Sequence, residues 1–323
     1  MDTSRRSFIK KTATAAAGIG LVGTANAMSA KSYNNIIGSN DRINLAIQGL
    51  GRRYFGFIEG IAAKNNNVRL KYLCDVMPSQ LNKAQQKVGK KIDYKIKSEG
   101  DIRNIINDKD IDAIFMATPD HWHTPGAIMA MKAGKHVYLE KPCSHNPHEN
   151  ELIVAAQKKY GKVVQMGNQQ RSSLESQEII KEIHNGIIGD VYKAVAFYSN
   201  GRGQVPLPSK APVPNGLNWD LFQGPAPRKE YMHDTWNYNW HWYGWDFGTA
   251  EMGNNATHEL DIARWALNVK YPEYVSVSAG KRQFKDDGWK MYDQMLASFK
   301  FANNVEIQWD GDSRNGYNKY GRG

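Results

Sequence analysis

Between Ile43 and Asn168 the chain repeats one unit: a short, nearly unbroken apolar run, then a stretch of helical periodicity, then another apolar run. INLAIQGL (43–50), VRLKYLCDV (68–76), IDYKI (92–96), DAIFMAT (112–118), HVYLE (136–140) and KVVQMGN (162–168) read as strands. The segments between them, at 52–65, 78–90, 101–108, 125–134 and 148–161, read as helices. A strand that is apolar on both faces needs cover on both faces, and a helix between each pair of strands supplies it. The pattern predicts an α/β fold built on a doubly wound parallel sheet. Ligands of such a sheet bind beyond the carboxyl ends of the strands. Four separate segments reach that edge here: Gly49–Gly51, Asp75, Thr118-Pro119 and Glu140-Lys141-Pro142.

From 169 onward the character changes. A helix (173–189) and a strand (190–200) precede a Pro/Gly-rich loop (201–227) and an aromatic stretch (231–247). A helix at 257–268 follows, then three segments with antiparallel character ending at 311. This reads as a second, α+β domain over 169–323 with an open, mainly antiparallel sheet. The chain stops soon after a strand, so the sheet is expected to lack elements that lie beyond Gly323. A homo-oligomer is expected.

The first 27 residues form an address. SRRSFIKK, a soft Ala/Gly/Thr-rich apolar stretch and Ala25-Asn26-Ala27 are the parts of an export signal. The pair Arg5-Arg6 resembles the twin-arginine type, which implies the twin-arginine machinery as partner, cleavage after Ala27 and a periplasmic destination. No cysteine follows the signal, so no lipid anchor is expected. Residues 28–42 are polar and read as a linker. No run of 18 apolar residues occurs, so no spanning helix is predicted. The net charge of +10 is scattered rather than blocked, which disfavours nucleic acid as a partner. Two cysteines are too few for a disulfide framework.

Gly49-Leu50-Gly51 lies directly between a strand and a helix. Gly49 allows a tight turn, and Gly51 lets a diphosphate approach the backbone. The third glycine of G-x-G-x-x-G is replaced by Tyr54, with Gly56 nearby. Asp75 ends the second strand 24 residues after Gly51, where a carboxylate accepts both ribose hydroxyls and repels a 2′-phosphate. That favours NAD over NADP. A helix cap before Pro78 is the alternative role for Asp75. Thr118, Pro119, His123, Glu140 and Lys141 complete the expected cofactor wall. His121 and His123 suit a structural turn better than a metal site, and no metal is expected.

Three segments together resemble the Gfo/Idh/MocA oxidoreductases: the strand–GxG–helix at 45–60, GKHVYLEKP at 134–142 and MGNNATHELDIARW at 252–265. The resemblance implies a Rossmann domain over 43–168, a second domain with an open sheet, bound NAD(P) and sugar-like substrates. It implies Lys141 and His258 as the catalytic pair and a possible cis bond before Pro142. Many members carry Asp four residues before that His. Asn254 stands there in this chain, and GNNATHELD looks more like the branch of NAD-dependent glycosidases.

A lysine at a crevice wall loses solvation, which lowers its pKa and fits it to act as base or as donor to an alkoxide. Glu140 either orients Lys141 or caps the strand. His258 is read as opening its helix, where the dipole favours a neutral imidazole; a capping role is the alternative. Gln169, Arg171, Asn254 and Trp245 are the expected substrate contacts, while most of the aromatic stretch is expected to pack in the core. The expected function is NAD-dependent oxidation of a hydroxyl on a sugar, glycoside or cyclitol. The alternatives are a glycoside hydrolase that oxidises, eliminates and re-reduces with NAD recycled, and a non-catalytic NAD-bound sugar-binding protein.

Overall fold

The computed structural model describes residues 42–63, 66–233 and 235–316. The export signal and nearly all of the linker lie outside them. Six strands form one sheet: β1 (Ile43–Gln48), β2 (Val68–Cys74), β3 (Lys97–Glu99), β4 (Ala113–Met116), β5 (His136–Leu139) and β6 (Val164–Met166). Every pair is parallel, in the order β3-β2-β1-β4-β5-β6. The helices between them are α1 (Ile58–Ala62), α2 (Pro78–Val88), α3 (Ile102–Ile106), α4 (His123–Lys132) and α5 (Pro147–Tyr160).

Side chains alternate across each strand, so β1 feeds two cores. Leu45 and Ile47 join Ile58, Leu70, Leu73 and Leu81 on one face. Ala46 joins Ile105, Ile114, Met116, Met131 and Leu139 on the other. Helix ends follow local chemistry. In α5 the Asn146 side chain accepts from Glu149 N, Pro147 occupies the first turn, and Gly161 closes the helix at φ +60°.

Two elements depart from the sequence reading. The helix expected at 52–65 is a 3₁₀ turn, Tyr54–Phe57, followed by the five-residue α1. The strand expected at 92–96 is displaced to Lys97–Glu99. Ile92 and Ile96 are apolar because they fill the core beside α2, not because they pair in a ladder.

The second half holds α6 (Leu174–His184), β7 (Lys193–Ser199), α7 (Trp219–Gln223), α8 (Thr257–Ala266), β8 (Tyr274–Gly280), β9 (Gln294–Lys300) and β10 (Glu306–Asp312). Its sheet runs β7-β10-β9-β8. Only the β7–β10 pair is parallel. α8 lies on β7 and β10, its Ala263 packing in one cluster with Ala196, Ala297, Ile307 and Trp309, where three alanines allow a close approach. A π-helical turn, Met252–Ala256, runs straight into α8. Extra-wide turns of this kind recur at functional sites because they release main-chain groups from the α-helical ladder.

Candidate active site

A cleft of about 660 Å³ opens where the strand order reverses between β1 and β4. Gly49 turns the chain at φ +86°, and a Cβ there would lie 2.5 Å from Ala117 O, so no other residue fits. Asp75 braces this turn. One carboxylate oxygen accepts from Leu50 N at 2.7 Å, the other from Met77 N at 2.9 Å. The contact to Met77 is a local turn ahead of α2, which begins without a side-chain cap, so Asp75 does not serve as the helix cap that was its alternative role; its carboxylate lines the cleft. Burial pushes the Asp75 carboxyl up to about 6, against the lowering effect of the two backbone donors. Gln48 Oε1 and Thr118 Oγ1 are buried polar atoms of wall residues with no protein partner. Such orphaned groups cost free energy unless a polar ligand satisfies them. With the glycine turn and Asp75, they fit a dinucleotide.

Lys141 follows β5, with its peptide bond to Pro142 in the cis form. Its Nζ donates to the main-chain oxygen of Asn254 at 2.6 Å and to Asn254 Oδ1 at 3.1 Å. The π-helical turn supplies that carbonyl. Gly253 makes the approach possible, since a Cβ on it would sit 2.9 Å from the Pro142 ring. An ammonium has three donors, so one remains for a ligand. Burial lowers the Lys141 pKa, and the charges of Asp120, Glu140 and Glu251 oppose that shift. Glu140 is itself buried and receives Arg53 Nε at 2.7 Å, which ties the turn after β5 to the residue beyond the glycines.

The other sequence candidates divide. Thr118, Pro119, His123, Gln169 and Asn254 line the cleft with Lys141. His123, however, has both ring nitrogens against carbonyl oxygens, those of Thr118 and Pro142. Its ring nitrogens are thus taken up in bracing the wall. His121 does the same between Phe222 O and Phe247 O. Arg171 is not on the wall. Its guanidinium grips Asp261 of α8 at 2.6 and 2.8 Å and lies over the Trp265 ring, so it is a tie between segments rather than a substrate contact. Trp245 is 63% exposed and lines a separate hollow beside Tyr292; Trp236 and Trp240 take the cleft positions instead. His258 is half-buried and is not among the wall residues. It does not open a helix: the π-helical turn precedes α8 without a break, so the expected dipole effect is absent.

Several wall residues escaped the sequence reading. Asp120 is buried and accepts from both Thr249 N (3.0 Å) and Thr249 Oγ1 (2.6 Å). Glu251, off the wall, holds Arg202 at 3.2 Å and touches Asn254 and Asn255. Tyr238 carries Arg52 of the glycine turn over its ring at 4.1 Å. His241 sits beside Trp240. None has a spacing that marks it: Asp120 meets Thr249 129 residues further on, and Glu251 meets Arg202 across 49.

Comparison with known proteins agrees with this geometry. Residues 43–168 match the family profile described as "Oxidoreductase family, NAD-binding Rossmann fold", and residues 177–323 match "Oxidoreductase family, C-terminal alpha/beta domain", both of the Gfo/Idh/MocA group. A glycosyl hydrolase family 109 protein of Saccharopolyspora erythraea is 26% identical over 300 residues, covering 88% of this chain and 60% of that protein. An alpha-N-acetylgalactosaminidase of Shewanella oneidensis is 24% identical over 281 residues, covering 82% and 55%. The chain thus spans little more than half the length of these relatives. Among solved structures, the WlbA dehydrogenase from Bordetella pertussis, in complex with NADH and UDP-GlcNAcA, superposes with a TM-score of 0.64 at 20% identity, covering 84% of this chain and 67% of that one. That likeness is one of fold.

Proposed function

The chain belongs to the Gfo/Idh/MocA family of NAD-binding oxidoreductases, and from that premise we propose that it oxidises a hydroxyl of a sugar, glycoside or cyclitol. When bound, NAD accepts the hydride of the carbinol carbon. Gly49, Gly51, Asp75 and Thr118 are the residues that would hold it. The observation that carries the reading is Lys141: a desolvated ammonium, fixed by two bonds to Asn254 and keeping one donor, on the same cleft wall as the dinucleotide turn. A donor held this way stabilises the negative charge that grows on a hydroxyl oxygen as its carbon is oxidised, without reorganising during the reaction.

A second reading rests on the relatives. Those named as family 109 glycosyl hydrolases and as an alpha-N-acetylgalactosaminidase favour a redox-neutral cycle in which oxidation, elimination and re-reduction cleave a glycosidic bond. Export by the twin-arginine route suits that cycle, since the cofactor is recycled in place.

One experiment separates them. NAD-loaded protein is mixed with free sugars, cyclitols and aryl glycosides, with no electron acceptor. Stoichiometric NADH fluorescence with a free sugar supports oxidation. Many turnovers of aryl release without net NADH support the hydrolase. The Lys141→Met variant is expected to lose activity at least a hundredfold while binding NAD normally; full activity in that variant refutes both readings.

A further inference from the structure

The cleft has a fixed donor in Lys141 but needs an acceptor for the hydroxyl proton. The sequence pointed to His258, which does not line the cleft. His241 does, together with Lys141, Asp120 and Asn254. Its ring is buried and held on one side only. Nδ1 lies 2.7 Å from the carbonyl oxygen of Tyr238. A carbonyl can only accept, so in the neutral ring Nδ1 carries the proton and Nε2 carries the lone pair. No hydrogen bond to Nε2 is made among the described residues.

Two further observations mark the ring as held in place. Tyr238, whose carbonyl fixes the tautomer, has φ +121°, a backbone conformation that side-chain-bearing residues rarely adopt. Such strain persists only where the surroundings impose it. Here Arg52 lies over the Tyr238 ring, and Arg202 reaches its hydroxyl at 3.4 Å. Trp240 also stacks on the imidazole itself, with ring centroids 3.5 Å apart.

We propose that His241 is the catalytic base of this cleft, its Nε2 receiving the substrate hydroxyl proton while Lys141 steadies the oxygen. The proposal rests on the oxidoreductase reading and extends it. The balance is simple. The O–H bond breaks and an N–H bond forms on Nε2, while the carbinol hydrogen leaves with its electron pair to bound NAD and a carbonyl forms. The same pair serves either net oxidation or the first step of a glycosidase cycle.

The charges around the ring favour a neutral imidazole before reaction. Burial lowers the His241 pKa to about 4; Asp120 opposes this, and the cations Lys141 and Arg202 reinforce it. As the proton arrives, Asp120 is the group placed to stabilise the imidazolium.

The test has two arms. In the first, ring ¹⁵N shifts of histidine-labelled, NAD-loaded protein are assigned by comparison with His241→Gln. At pH 7 a neutral ring protonated on Nδ1 is expected. An imidazolium, or a ring protonated on Nε2, overturns the proposal whether or not a substrate is known. In the second, single-turnover NADH formation is followed with whichever free sugar or cyclitol of the panel reacts. His241→Gln is expected to slow it 10²–10⁴-fold, with NAD affinity unchanged within a factor of two and partial rescue by added imidazole. A variant that folds, binds NAD and reacts at the parent rate removes His241 and leaves the oxidoreductase reading standing. If the unsubstituted protein reduces NAD with no member of the panel and cleaves no aryl glycoside, both fall together.

Discussion

Asp75 is expected to make cofactor affinity depend on pH. Its carboxyl is lifted from an ordinary 3.8 to about 6, with burial as the leading cause. That interval corresponds to roughly 3 kcal/mol in favour of the neutral form. Without cofactor, the protonated Asp75 carboxyl favours the folded state. A carboxyl whose folded pKa is raised adds stability that is complete below its unfolded value and is lost as pH rises through about 6. Cofactor pulls the other way, because two ribose hydroxyls donate best to a carboxylate, so NAD binding expels the proton. Affinity should therefore be flat from pH 8 to 7 and fall about tenfold by pH 5, the factor for one competing proton one unit below its pKa. Asp75→Asn should bind NAD more weakly at neutral pH and lose this dependence, although one of its two backbone donors is left facing an amide N–H. Titration calorimetry from pH 5 to 8, in buffers of different ionisation enthalpy, reads both the affinity and the proton released. Affinity that does not change with pH, or a pH dependence that persists in Asp75→Asn, would refute the assignment of Asp75 to the ribose.

Two further outcomes are expected. Arg314 is fully enclosed, bonded to Asp287, 3.9 Å from Asp293 and lying over the rings of Phe284 and Trp289. Arg314→Met leaves Asp287 with Lys281 as its cation and takes the nearby charge from buried Asp293, and chemical denaturation should show a loss of about 3 kcal/mol, the low end for breaking a buried pair; a loss below about 1 kcal/mol would mean that Lys281 alone holds the cluster. Replacing Arg5 and Arg6 with Lys should leave uncleaved precursor in the cytoplasm, as seen by fractionation and blotting, and normal processing would remove the twin-arginine assignment.

The Rossmann half was legible because its strands are buried on both faces. Ile43–Gln48 and Ala113–Met116 could hardly be anything but interior strands, and the glycines, Asp75 and Lys141 fall at their ends by necessity of the topology. Ile92 and Ile96 misled for the same reason: burial marks a residue as interior without saying whether its backbone pairs. The polar edge strand Lys97–Glu99 has no such mark. In the site, a residue could be read when its own motif carried it. Arg171 could not, because its partner Asp261 lies on a helix ninety residues away. His241 is a lone histidine among aromatics, and its significance depends on a carbonyl orientation that no local pattern encodes. Trp245 stands in a row of tryptophans that only the fold sorts into cleft and outer positions.

The hold on Lys141 has a consequence for how such a site can diverge. Its shorter bond is to a main-chain oxygen, which every residue at position 254 supplies alike. The side chain there adds a second, longer bond, which a carboxylate oxygen can make as an amide oxygen does. Asn leaves the ammonium beside a neutral amide; Asp would set a full negative charge against it and raise its pKa. A single base change in the gene therefore alters how readily this lysine gives up its proton while its coordinates stay put. Chemistry can drift at position 254 on a scaffold that does not have to be rebuilt.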